Sequence, residues 1–284
     1  MRDIKRRKSS IQSTQQITKA MKLVSTVKLQ KAKLHAEATD PYFKHMYQTV
    51  TSILAKSGNI NHPYLQSGAS DKIAVVVITS NRGLAGGYNA NVTKLITNNQ
   101  ELLPKDKVEV YCIGSKGRET LDRYGYTIKE DHSAIMEAPS YEDAAAVCAR
   151  VLDAFTRGEI GEIYLAYTHF KNTVVHVPQL MKLLPVEFSD EEIAAADDKL
   201  IMNYEPNVEE ALDLIIPKYV TSIFYGALVE ALASENGARM QAMDSATSNA
   251  EDMISDLSLK YNRARQGSIT QELTEIIAGA EAIS

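Results

Sequence analysis

Near the C-terminus, Met240, Met243, Thr247, Ala250, Ile254, Leu257, Tyr261 and Ala264 alternate in steps of three and four, with polar or charged residues dominating the positions between. That spacing keeps one narrow line along an α-helix, the width a single partner helix covers. Near the N-terminus the same steps run through Ile17, Ala20, Val24, Val27, Lys31 and Leu34, with Lys31 the one misfit. The middle of the chain has a different rhythm. A continuous apolar run at Ile73–Ile78 and a second at 108–114 read as buried strands, each followed by a glycine-containing turn and a helical stretch. The first of these helices is predicted over about 91–102. A helix over 141–155, a strand over 162–167 and a last strand within 174–186 returning toward the helices complete the pattern.

Helix breakers sharpen the division. All eight prolines fall between Pro41 and Pro217, so both ends are free of the residue that most reliably interrupts a helix. The predicted fold class is α/β: a long antiparallel coiled coil of the N- and C-terminal helices with a central doubly wound, Rossmann-like domain. The parts are assigned as 1–58, 59–206 and 207–284. A helix over 218–284 would be roughly 100 Å long, against about 40 Å for a compact middle domain of about 150 residues. The helix is therefore expected to project, with the N-terminal helix as its partner. The alternative is a bundle of short helices broken at Gly226, Gly237, Gly267 or Gly279, although each costs only about 1 kcal/mol in a helix interior.

Composition narrows the class without naming a function. The 284 residues are 44% hydrophobic and 24% charged, an ordinary soluble-protein balance. No purely apolar run exceeds six residues, the length of Ile73–Ile78, short of the roughly 20 that span a bilayer. The net charge of −5 hides an asymmetry: residues 1–33 carry +9 and the rest −14. A basic, serine-rich start has the composition of a transit peptide, yet its helical pattern runs on into the chain. Cys112 and Cys148 form no CxxC and suggest neither zinc nor a disulfide. The six histidines give no HExxH, and there is no GxSxG. The turns at 80–89 and 114–117 could hold phosphate on backbone N–H groups. Neither spells GxGxxG or a full P-loop. No metal, cofactor or catalytic group is predicted.

Three stretches carry a resemblance. Residues 11–21 (IQSTQQITKAM), the turn 82–89 (RGLAGGYN), and the C-terminal segments 238–247, 261–266 (YNRARQ) and 269–273 (ITQEL) resemble the gamma subunit of F-type ATP synthases. The likeness covers the chain from end to end. It implies a rotary shaft standing inside a hexamer of alternating alpha and beta subunits, with its foot on the epsilon subunit and the membrane proteolipid ring. It implies no catalysis, nucleic acid or membrane span in the chain itself.

By the same resemblance, Arg265, Gln266 and Thr270 meet an acidic loop of a beta subunit, with Lys19, Met21 and Lys22 on the facing helix near the same level. A guanidinium suits that role through charge-assisted bonds to carboxylates. The stretch at Tyr204 and Glu205 is expected near the ring or epsilon. The largely apolar end, 275–284, suits a bearing inside an apolar collar. Photosynthetic members carry a regulatory cysteine pair that Cys112 and Cys148 do not resemble, and many members have Cys where Ala85 stands. The lack of an added targeting segment before Ile11 favours the cytoplasmic face of a bacterial plasma membrane. Two other readings remain: a nucleotide-binding α/β protein with helical extensions, and a coiled-coil scaffold using its basic end on nucleic acid.

Overall fold

The computed structural model describes residues 1–57, 62–187 and 207–281. The chain divides into two compact units, one of residues 1–25 with 239–284 and one of residues 26–238.

The second unit is built on a five-stranded sheet. Strands β1 (Ile73–Ile78), β2 (Val108–Ile113), β3 (Thr127–Asp131), β4 (Glu162–Phe170) and β5 (His176–Leu184) lie in the order β3-β2-β1-β4-β5. β1 to β4 are parallel neighbours and β5 runs antiparallel to β4. Helices α2 (Tyr88–Thr97), α3 (Ser115–Arg123) and α4 (Tyr141–Thr156) connect them. β1 is buried at every position, as a central strand covered on both faces must be. Its alternate residues split between two cores: Ile73, Val75 and Val77 pack with Val92, Ile96 and Leu121 of α2 and α3, and Ala74, Val76 and Ile78 with Val147, Val151 and Phe155 of α4.

The two terminal helices are longer than the proline distribution predicts. α1 spans Arg2–Ser57 with Pro41 inside it, and α5 spans Val208–Glu281 with Pro217 inside it. One missing N–H is tolerated where tertiary packing holds the rest of a helix. α5 is also unbroken by its glycines, so the bundle of short helices does not form. Residues 208–238 of α5 do lie on the sheet: Leu212, Ile216, Val220, Phe224, Leu228 and Ala231 join the core containing α4. The most apolar 18-residue window of α5 has a mean hydropathy of 1.4, enough by length and composition to cross a bilayer, but 61% of it is buried within the protein. β3 is not among the strands that the apolar rhythm predicts; its residues alternate exposed and half-buried, as on a polar edge.

In the first unit the two helices run antiparallel, with Gln15 bonded to Glu251, Thr18 to Thr247 and Lys22 to Asp244. The inner line of α5 follows the predicted positions, with Met243, Thr247, Ala250 and Leu257 buried and Ile254, Tyr261 and Ala264 half-buried. On α1 the expected line is wrong. Ile17 and Val24 are 60% and 57% exposed, whereas Thr18 and Ser25 are buried. The true line is Ile4, Lys8, Ile11, Gln15, Thr18, Lys22 and Ser25, in unbroken steps of four and three. The same steps continue in the second unit through Leu29, Ala32, Ala36, Thr39, Phe43, Met46, Val50 and Ile53, leaving Val27 and Leu34 exposed. Small residues on the inner line allow close approach of helix axes, which the most apolar line does not.

Candidate functional site

In an open doubly wound sheet the expected ligand crevice lies beyond the carboxyl ends of the strands, where neighbouring connections diverge. Here that place is closed by the protein's own groups. After β1, the Ser80 N–H donates to Asn89 Oδ1 (2.9 Å) and the Ser80 hydroxyl to the Arg82 carbonyl (2.6 Å). At the start of α3, the Ser115 N–H donates to Asn81 Oδ1 (3.0 Å), the Lys116 N–H to the Ser80 carbonyl (3.1 Å) and the Gly117 N–H to Thr79 Oγ1 (2.8 Å). Three N–H groups that would cradle a phosphate are thus already occupied by side chains and backbone of the first turn. On the other side of β1, α5 covers the strand ends. Tyr88 Oη donates to the Ala231 carbonyl (3.0 Å), Ser234 Oγ to the Thr168 carbonyl (3.2 Å), and His169 pairs with Glu230 (2.7 Å).

The thiols offer no chemistry either. Cys112 and Cys148 are both buried, and desolvation pushes each thiol up to about 12, with the charge of Asp131 adding to the effect at Cys112. A thiol in such a setting stays protonated at neutral pH and is a poor nucleophile. Among the described residues no group of three or more His, Cys, Asp or Glu could hold a metal.

The helix pair of the first unit carries the residues singled out by sequence. Lys19 is exposed and Met21 half-buried. Lys22 forms an ion pair with Asp244 across the two helices at 2.5 Å. Arg265, Gln266 and Thr270 are exposed on α5, and the Thr270 carbonyl accepts a bond from Thr274 Oγ1. The two groups are not level. Thr18 faces Thr247, so Arg265 stands about 18 residues farther along α5, roughly 27 Å away at 1.5 Å per residue. Lys19, Met21 and Lys22 form one cluster; Arg265, Gln266 and Thr270 form another near the start of α1. Tyr204 and Glu205 lie outside the described residues.

Two features are not foreseen from the sequence. One is the outward apolar face of α1, comprising Ile17, Leu23 and Val24 in the first unit and Val27 and Leu34 in the second. Its signal is present in the apolar rhythm, but the rhythm does not say which side of the helix faces out. The other is Leu84, 65% exposed at a positive φ of 61° in the turn after β1, a conformation uncommon for a bulky residue.

An ATP synthase family model matches residues 1–283. A curated protein of Lachnoclostridium phytofermentans, an ATP synthase gamma chain, is 66% identical over 290 aligned residues, covering 100% of this chain and 99% of that protein. The chain belongs to the ATP synthase gamma family. A second gamma chain, from Alkaliphilus metalliredigens, is 46% identical, covering 100% of this chain and 98% of its own length. The rotor of the Euglena gracilis mitochondrial ATP synthase shares the fold with a TM-score of 0.68 at 19% identity, covering 94% of this chain and 98% of that one. As a gamma chain, the protein is the central-stalk rotor of an F-type ATP synthase, a membrane-associated complex. The closed crevice and the extended helix pair suit a part that turns.

Proposed function

We propose that this gamma chain has no catalytic site of its own and works by contact alone. Its helix pair stands within the alternating alpha and beta subunits of the catalytic head. Its foot, with the epsilon subunit, rests on the membrane proteolipid ring at the cytoplasmic face of a bacterial plasma membrane. Functionally the parts divide as 1–58, 59–206 and 207–284: shaft helix, α/β foot, shaft helix. An asymmetric shaft presents a different face to each of three like sites, and such differential contact is what shifts a conformational equilibrium. Rotation then carries each site through binding, synthesis and release.

The observation that carries this reading is the end of α5. Residues 271–278 are exposed on every side, including Leu273, Ile276 and Ile277. The antiparallel register brings Met1 level with about residue 264, so no described residue of α1 is level with that segment. An apolar helix end without a partner helix suits a surrounding collar of other subunits. Below it, Arg265, Gln266 and Thr270 offer a guanidinium, an amide and a hydroxyl to an acidic loop of a beta subunit. Lys19, Met21 and Lys22 offer a second contact lower on the shaft, and Tyr204 and Glu205 a contact at the ring or epsilon.

Co-expression with alpha, beta and epsilon partners tests the reading. An assembled complex is expected, with ATP hydrolysis falling about tenfold when Arg265→Ala and Gln266→Ala are combined, the loss of roughly one charged hydrogen bond at the turning point of the cycle. Unchanged turnover in an intact complex removes the assignment of those two residues. Failure to assemble with competent partners removes the shaft reading.

A further inference from the structure

The tip of the β4–β5 hairpin grips α5 in an unusual way. His176, the first residue of β5, lies against Gly237 of α5; a Cβ at Gly237 would stand 2.5 Å from His176 Nε2. A side chain at Gly237 would displace the imidazole from the notch that receives it. Nε2 is buried there and has no hydrogen-bond partner among the described residues. Phe170, which is opposite His176 in the β4–β5 ladder, covers the ring with centroids 6.0 Å apart. Beyond the notch the hairpin tip is exposed, Val174 by 72% and Val175 by 41%.

We propose that His176 seated in the Gly237 notch is an acid-released latch, holding the hairpin tip on α5 while the ring is neutral and freeing it when the ring is protonated. A neutral imidazole can leave one nitrogen bare against carbon. An imidazolium carries N–H donors on both nitrogens, and a buried charged donor without an acceptor is costly. Among the described residues the notch supplies no acceptor to Nε2. The titratable groups on the elements packed around it include His169 of β4, paired with Glu230 of α5, and Glu235 of α5, which is buried and has a partner. Burial alone moves His176, holding its pKa below the ordinary 6.5. The sign follows. The latch is fully closed above about pH 6.5 and opens as the pH falls through the lowered folded value.

The consequence is local. Ser234 bonds the Thr168 carbonyl and Glu230 holds His169, so β4 stays on α5 up to the rung beside His176 while the tip beyond it lets go. The grip of the sheet on the shaft helix is loosened at one end.

Hydrogen–deuterium exchange of the full chain between pH 7.5 and 5.0, corrected for intrinsic rates, tests the latch. Protection of amides in residues 170–178 is expected to fall about tenfold for each unit by which the ring's pKa is depressed, while β1 and β2 hold theirs. His176→Phe keeps a ring in the notch and is expected to abolish the pH dependence; His169→Gln is expected to leave it. Gly237→Ala is expected to open the tip at every pH. If that variant does not fold, His176→Phe still decides: an equal loss of protection in that variant overturns the proposal, as does a wild-type tip whose protection ignores pH.

Discussion

At the scale of single residues, the two turns beyond β1 and β2 show why nominal phosphate-loop glycines are structural here. Gly114 sits at φ 102°, and a Cβ there would lie 2.0 Å from the Thr79 carbonyl oxygen. A Cβ at Gly83, in the first turn, would meet nothing within 4 Å, and the backbone there has no positive φ. Gly114→Ala is therefore expected to cost about 2 to 4 kcal/mol, and Gly83→Ala less than about 0.5 kcal/mol, both read from urea unfolding of the isolated chain. Equal effects would mean that the turns are not braced against each other. Both turns, and their place between strand and helix, are legible in the sequence. That Asn81 and Thr79 fill the N–H groups of α3 is not, because those bonds join residues 34 and 38 positions apart.

At the scale of elements, the helix pair is held by a line of small and polar residues on α1 facing a more apolar line on α5. Thr18 and Thr247 meet at 2.8 Å, and the Thr247 hydroxyl donates a hydrogen bond to the Met243 carbonyl at 2.7 Å. Such buried hydroxyls need bonds of this kind to be tolerated. The most apolar rhythm points to Val24 and Val27, yet the packing selects Ser25 and Leu29. Leu29 is 4% exposed and Val27 65%. Leu29→Ala is expected to cost about 2 to 4 kcal/mol, whereas Val27→Ala is expected to stay within about 0.5 kcal/mol, as measured by thermal or urea unfolding. The reverse order would restore the apolar line as the seam. On α5 the rhythm is legible because only one line of the helix is both spaced correctly and free of charge. On α1, apolar residues occupy more than one line, and a partner within the protein buries only one of them.

At the scale of the whole molecule, the end of α5 is a helical segment exposed to solvent on every side over residues 271–278. Deleting residues 271–284 is expected to leave the melting temperature of the isolated chain within about 2 °C, since residues 271–278 bury nothing in it. A larger fall by circular dichroism would show that the tail packs on its own chain. The sequence by itself determined the layout: long helices at both ends, strands at 73–78, 108–114 and 162–167, the motifs of the gamma family, and the seam of α5. These are local periodicities and contiguous motifs, which a chain carries regardless of how it folds. Only the tertiary structure decided the inner face of α1, the separation of Lys19, Met21 and Lys22 from Arg265, Gln266 and Thr270, the polar edge strand β3, and the closing of the nucleotide crevice by α5. The physical reason is contact that is not local: β3 takes its place by pairing with β2, as at Glu109 and Thr127, and α5 reaches the strand ends through bonds spanning 61 to 143 positions. The helices are joined through an intervening sheet instead of a short turn, so their register and facing are set by contacts between residues some 190 to 236 positions apart, and no local pattern encodes such a distance.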